Sequence, residues 1–539
     1  MRTLRGEGRG VRIFFLTAAL FAAAAAGADA QPQATASPAA TATAAATSAP
    51  LAFAVQRAGL VPGGTQRIAV TGGTAPFTVT TSFAIDAAYD AGAQSLVLNG
   101  RAPGSGSVTL TDANGASATV AVLVAPPAGV VPADLTVQLA GTSDAAFVRA
   151  QMQAAIGAGA HLRPGASAAL GAVTIPAVVA PGAAIDIAAS VTIAGNGTSI
   201  DANGTAMIHL RAIGLPRIEP TVLFYSDDPE KITADAQGVL FHGTLDAAHP
   251  ARLYAYHLTV APRRIVVMLS TNGSAVAHVQ ILGALAGPSG MFAYVGHLAT
   301  ARFISARDRQ QSVIVPVSSD APYVLDLGII PPGQLIAAID DLRIIDGDAV
   351  DAVVIAADPA QDPAAFLQQP QLASDGHGRR GEFSLAAIPP LALSYTVGGP
   401  EPAPFVVGVP TFPNIVAGGR ALGGDYGVVR DIDLHIVNPS AQTQGVYLYE
   451  ELGRTNGGAT TTIRFTGDPA VTEVPCIGHA GTRFLVRSFG VAPNAEIRIS
   501  GAYMTDGTSS FPLSFGLTSV PPTAPGKTEC GAPRPGAGP

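Results

Sequence analysis

The sequence predicts a mainly β chain: tandem β-sandwich-like domains, with a small α+β domain towards the N-terminal side. Three observations predict it. The 61 glycines and 43 prolines among 539 residues interrupt the chain too often for long helices, whose interiors tolerate neither. Apolar residues recur in short alternating runs, the period of a half-buried strand. Asn-Gly and Asp-Gly pairs punctuate those runs and supply the positive φ that tight turns need. The length allows several domains.

The net charge of -8 carries no basic block, so no nucleic-acid partner is expected. At the N-terminus, Arg2, Arg5, Arg9 and Arg12 precede an apolar run from Ile13 to Ala26, and Ala28-Asp29-Ala30 precedes Gln31. This is the pattern of a secretory signal peptide over residues 1–30. Its apolar run is short for a bilayer span of about 20 residues. No later segment is long and charge-free enough to span, so none is expected after signal cleavage. The expected location is exported: periplasmic, cell-surface or extracellular. In such an oxidising compartment the two cysteines, Cys476 and Cys530, favour a disulfide that pins the C-terminal tail, worth roughly 4 kcal/mol on the chain-entropy model.

Residues 31–50 are low-complexity Ala/Thr/Pro, a linker without large side chains to bury, and are expected to be disordered. Residues 51–127 alternate apolar runs with Gly-rich turns, and Asn114-Gly115 closes a hairpin. Residues 128–215 read as the small α+β domain. Ser143 or Asp144 caps a helix with Phe147, Ala150, Ala154 and Ala155 on one face, and Gly157 and Gly159 stop it. Asn196-Gly197 and Asn203-Gly204 mark turns. Residues 216–390 read as a β-rich domain with one short helix opened by Pro288 and Ser289, its buried stripe being Phe292, Val295, Ala299 and Phe303. Within it Arg252, Tyr254, Tyr256 and Leu258 face one way, and Leu253, Ala255 and His257 the other. Asp346-Gly347-Asp348 reads as a hairpin turn. Residues 391–520 read as a C-terminal sandwich of seven or eight strands, with Ile432, Leu434 and Ile436 inward. A Pro/Gly-rich tail follows from 521.

Two resemblances add to this. The step GGTAPFTVT and the closing TDANG turn are similar to bacterial immunoglobulin-like modules of surface proteins, which implies a spacer or adhesive unit over 51–127. The ordered segments LFYSDDPEKI, GVLFHGTL, RLYAYH, AGPSG, GHLATARF, DGHGRRGEF, SYTVGG, LGGDYGVVRDI and MTDGTSSFPL resemble a family of exported bacterial multi-β-domain proteins of unknown function, over about 215–520. That implies one inherited architecture and supplies no catalytic residue. Some members travel with copper amine oxidase-type modules. Amine oxidase chemistry is nevertheless excluded here, because the chain has no Asn-Tyr pair for a quinone and no His-x-His copper pair.

Site candidates concentrate in 222–381. His242, His257 and His297 are candidate metal ligands, with His377, Asp227, Asp228 and Asp375 as supporting groups, since neutral imidazole and carboxylate suit divalent cations. No pair has helical ligand spacing, and ordinary sheet and turn histidines are the plainer reading. Tyr254, Tyr256, Asp375, His377, Arg379 and Arg380 are candidate ligand-binding residues. The tyrosines offer flat faces in a chain without Trp, with Tyr447 and Tyr449 as further candidates, and the arginine pair can clamp an anion. Carboxylate pairs for glycoside hydrolysis can be drawn from Asp227, Asp228, Glu230, Asp340 and Asp341. The nucleophile elbow G-x-S-x-G is absent. No recognised catalytic motif emerges and no cofactor is expected. The expected function is that of an exported interaction or structural protein, presenting β domains to an extracellular protein or polysaccharide. Its alternatives are a metal-binding protein or enzyme using 222–381, and a carbohydrate-binding module using the tyrosines.

Overall fold

A computed structural model of the chain describes residues 49–376, 378–409, 412, 414–416, 420–454, 458–477 and 481–522. The leader, His377, Cys530 and the tail beyond 522 lie outside the described residues, as does the side chain of Cys476. The expected signal peptide and disulfide both fall there. The chain is mainly β, with two α-helices and one 3-10 turn among the described residues.

Residues 52–124 form two four-stranded sheets. Strands such as Thr65–Thr71 and Ser117–Val124 bury alternate residues, and Ile68, Val70, Val120, Val122 and Val124 fill one core between the sheets. The Asn114-Gly115 turn joins the antiparallel strands Gly104–Thr111 and Ser117–Val124, with Gly115 at φ +83.

Asp144 caps helix α1 (Ala145–Gly159) by accepting the Phe147 N–H at 2.9 Å. The buried face is Val148, Met152 and Ile156; of the expected residues, Phe147 and Ala155 pack partly buried against the same core, while Ala150 and Ala154 are exposed. The three buried side chains remove more apolar surface from water than the exposed alanines do. The helix also runs through Gly157 to Gly159. It lies on a sheet whose hairpin, Ala184–Ala194 with Ala202–Ile213, is closed across Asn196-Gly197. Asn203-Gly204 is not a turn: both residues are paired within that hairpin, opposite Thr192 and Val191.

One sheet passes through residue 215. Strand Asp134–Ala140 pairs with Ser312–Val317 at Ser312↔Ala140, Val313↔Leu139 and Ile314↔Gln138. The sheet continues through Ala277–Ser289, Leu335–Asp346, Ala251–Thr259 and Val222–Ser226 to Arg380–Ser384, eleven strands in all. A second sheet of four strands, Gly238–Leu245, Val350–Ala357, Arg263–Thr271 and Tyr323–Ile330, covers one face, where Phe224, Leu253 and Ala255 meet Ile265, Val267 and Val354. On the other face Leu223, Tyr225, Tyr254 and Tyr256 meet helix α2 (Phe292–Arg309) and the C-terminal Leu422, Val428 and Met504. Strand Ala251–Thr259 is therefore buried along both faces.

Two local expectations change here. Asp346-Gly347-Asp348 does not close a hairpin: the strand before it lies in the long sheet and the strand after it in the second sheet. The Gly supplies the chain reversal, at φ +95, while core burial sets the partner. The expected short helix is α2, of 18 residues. It buries Val295, Ala299 and Phe303 but leaves Phe292 37% exposed, and Pro288 and Ser289 belong to the preceding strand.

Nine strands in two sheets form the C-terminal sandwich, with Ile432, Leu434 and Ile436 inward and Asp431 and Asp433 exposed. Arg252 ties it to the long sheet. The fully buried guanidinium donates to Asp341 at 2.6 and 3.0 Å and to the Gly427 carbonyl at 3.1 Å, and lies 4.8 Å over the Phe303 ring.

Candidate ligand-binding cleft

A cleft of about 460 Å3 opens where the long sheet, the loop 374–380 and the C-terminal sandwich meet. Its floor and near wall are Asp227, Glu230, Tyr254, Tyr256 and Arg379; Gly424, Tyr426 and the turn Thr508–Phe511 face them.

Strand alternation builds the floor. Val222–Ser226 and Ala251–Thr259 run parallel with Tyr225 opposite Tyr254, so Tyr225 and Tyr254 project to one face, as do Asp227 and Tyr256 two residues further on. The rings stack at 5.2 Å for Tyr225 with Tyr254 and 6.3 Å for Tyr254 with Tyr256. Tyr426 adds a fourth ring 6.4 Å from Tyr254. Such pairs contribute about 0.5–1.5 kcal/mol each beyond burial. Gly427, at φ +77, fits against Tyr254, where a Cβ would come within 3.2 Å of the tyrosine Cβ.

The loop 374–380 is fastened by residues on the same strand end. Asp228 accepts from the Ser374 hydroxyl at 2.6 Å and the Asp375 N–H at 2.7 Å, and Asp375 accepts the Glu230 N–H at 2.8 Å. Arg380 donates to the carbonyls of Asp228, Leu240 and Leu372. Arg379 instead turns into the cleft. Its Nη1 lies 3.3 Å from Asp227 Oδ2 and 3.0 Å from Glu230 Oε2, so one guanidinium bridges both carboxylates.

The electrostatics are set by burial. The Asp227 side chain is only 3% exposed, and burial pushes its carboxyl well above the usual range, outweighing Arg379. Among the described residues its Oδ1 has no hydrogen-bond partner, nor have the hydroxyls of Tyr225 and Tyr256. Burial raises all the cleft tyrosines, Tyr426 up to about 12. They remain neutral donors at physiological pH. Tyr426 donates to the Ser509 carbonyl and so holds the far wall. Unpaired buried polar atoms cost about 1–3 kcal/mol each, and two of the three residues, Asp227 and Tyr256, line the cleft.

Of the candidate ligand-binding residues, Tyr254, Tyr256 and Arg379 come together in the cleft. Asp375 and Arg380 are engaged in fastening the loop, and His377 lies outside the described residues. The candidate metal ligands have three separate environments. His242 is half-exposed, 3.5 Å from Asp351. His257 is fully buried on the opposite face of the sheet from the cleft tyrosines. Its Nδ1–H donates to the Pro229 carbonyl at 3.0 Å and its Nε2 accepts from the Ser226 hydroxyl at 3.0 Å, and burial lowers its pKa to about 4. His297 pairs with Asp506 and Glu473. No group of three or more His, Cys, Asp or Glu arranged to hold a metal occurs among the described residues. Tyr449 is buried under Arg483.

Sequence reasoning passed over Tyr426, which reads locally as a turn entering a strand, and the Thr508–Phe511 turn. Yet the segments SDDPE, YAY, GRR, LGGDYG and TDGTSSF, all inside the resemblance quoted above, supply nearly the whole lining.

No family model matches the chain, and no curated protein matches it. Among solved structures, similarities include the cadherin domains 1–4 of protocadherin gamma B7 (9% identity, 38% of this chain and 62% of that one, TM-score 0.12). The tandem CBM22-1–CBM22-2 domain of Paenibacillus barcinonensis Xyn10C is 10% identical over 57% of this chain and 99% of that one, with TM-score 0.12. The Bacteroides ovatus mixed-linkage glucan locus protein SGBP-B, solved with a heptasaccharide, is 10% identical over 55% and 73%, with TM-score 0.13. The chain thus spans under two thirds of the protocadherin fragment's length. TM-scores this low establish no shared fold; the β architecture rests on the strand pairing above. No helix among the described residues is long and apolar enough to cross a membrane.

Proposed function

We propose that the chain is an exported binding protein that takes a hydroxyl-rich, saccharide-type ligand in the cleft between its long sheet and its C-terminal sandwich. The observation that carries this reading is the juxtaposition of unpartnered, buried Asp227 Oδ1 and Tyr256 hydroxyl with Glu230 and Arg379 in one concavity. Carboxyl, phenol and guanidinium groups together offer acceptors and donors to vicinal hydroxyls, and aromatic edges and faces cover the C–H side of a ring. The volume of about 460 Å3 falls in the range of about 300–1,000 Å3 usual for small-ligand sites. The immunoglobulin-like unit and linker would then act as a spacer that presents the site.

The test is a saccharide array, neutral and acidic, probed with the wild-type chain and with Asp227→Asn and Tyr256→Phe. Binding that weakens about tenfold or more in either variant, consistent with losing one buried hydrogen bond, supports the proposal. Binding indifferent to both variants, or no binding at all, overturns it.

A further inference from the structure

The two guanidiniums that line the cleft differ in their partners. Arg379 is committed to Asp227 and Glu230. Arg454 also lines the cleft but makes no hydrogen bond or ion pair among the described residues, and it is exposed. It stands close enough to Tyr426 to influence that phenol's ionisation. Among the described residues Arg454 is therefore a guanidinium of the lining with no carboxylate bound to it, while Asp227 and Glu230 share Arg379. Arg454 follows the sandwich strand Gln444–Leu452, whereas Tyr254 and Tyr256 stand on a strand of the long sheet.

We propose that the cleft selects acidic saccharides, with Arg454 receiving the carboxylate of a uronic acid residue while Asp227, Tyr256 and Glu230 take its hydroxyls. This rests on the reading of the cleft as a saccharide site and adds the ligand class and the residue that determines it. A guanidinium matches a carboxylate in a two-point, planar contact that a hydroxyl cannot reproduce. A neutral sugar at the same place would leave Arg454 solvated and contribute little there. Because Arg454 is exposed, the preference is screened by salt.

The experiment is isothermal titration of the full-length mature chain with tetrasaccharides of galacturonic, glucuronic and mannuronic acid, and with their neutral counterparts of the same linkage. At least one acidic ligand is expected to bind about tenfold or more tighter than its neutral partner at low salt, the effect of one charge-assisted contact. Arg454→Gln should remove that preference, and Arg454→Lys should keep part of it. Equal affinities for acidic and neutral partners, with both sensitive to Tyr256→Phe, sink this inference and leave the cleft reading intact. A preference that survives Arg454→Gln also sinks it. No binding by any ligand, or binding insensitive to Tyr256→Phe, sinks both.

Discussion

His297 Nδ1 lies 2.5 Å from Asp506 Oδ2, joining helix α2 to the turn that forms the far wall of the cleft. Glu473 Oε1 sits 3.0 Å from the other ring nitrogen, and Thr462 donates to Asp506 at 2.9 Å. Gly296, beside the histidine, packs so closely on Gly507 that a Cβ there would approach its backbone to 2.5 Å. The charged pair and the bare backbone contact together fix where Thr508–Phe511 stands.

This latch has a pH signature. Burial alone would lower the His297 pKa, but Asp506 and Glu473 outweigh it and raise the value to about 10. The unfolded value is about 6.5. A pKa raised on folding gives stability that is fully present below about 6.5 and is lost as pH rises through about 10. His297→Gln should lose about 3–5 kcal/mol at neutral pH, because two acids are left without their cation. Urea unfolding at pH 6.5 and 10 should then show a smaller alkaline loss for the variant than for the wild type. An equally steep loss in both would show that His297 is not the titrating group.

Asp340 predicts a different dependence. It is buried in the long sheet, its Oδ2 has no hydrogen-bond partner among the described residues, and burial, then Asp341, push its pKa up to about 8. The folded state holds the proton more tightly than the unfolded one, so stability falls as pH rises from about 4 towards 8. Asp340→Asn should stabilise the chain at pH 8 relative to wild type and make no comparable difference at pH 4. Thermal melts at the two pH values check this, and a variant less stable at both would contradict it.

Among the groups that titrate on the acid side is His257, whose lowered pKa of about 4 comes from burial. Its contribution is present above about 6.5 and is lost as pH falls through about 4. His257→Gln keeps donor and acceptor for Pro229 and Ser226 but cannot charge. The difference in unfolding free energy between pH 7 and pH 4 should therefore shrink in the variant. An undiminished difference would assign the acid sensitivity elsewhere.

Arg252 holds the two walls of the cleft in register through Asp341 and the Gly427 carbonyl. Arg252→Met leaves Asp341 without its buried cation and should cost about 3–5 kcal/mol. The double variant Arg252→Met, Asp341→Leu should recover part of that loss. Recovery of none of it would mean that the packing of the stem on Phe303, rather than the ion pair, carries the stabilisation.

The alternation of Arg252, Tyr254, Tyr256 and Leu258 was readable because strand period depends only on neighbouring residues. Tyr254, Tyr256 and Arg379 stand out in the sequence by residue type, and the structure brings all three into one cleft. What covers the tyrosines was not readable: Arg252 meets Gly427 across 175 positions of chain, and no local pattern reports such a pairing. The Asp346-Gly347-Asp348 turn shows a related limit, since a Gly with positive φ reverses the chain without naming the strand it returns to. The continuity of the sheet past residue 215 was hidden similarly. Strands such as Leu335–Asp346 are buried on both faces and lose the alternating signature that marks a sheet edge or face.

The most direct measurement is a crystal structure of the chain grown with a bound oligosaccharide drawn from the array. The account predicts sugar density in the cleft, with ring hydroxyls within about 3 Å, ordinary hydrogen-bond distance, of Asp227 Oδ1 and the Tyr256 hydroxyl. Sugar bound elsewhere, for instance along the Tyr447 strand, with Asp227 and Tyr256 untouched, would contradict it.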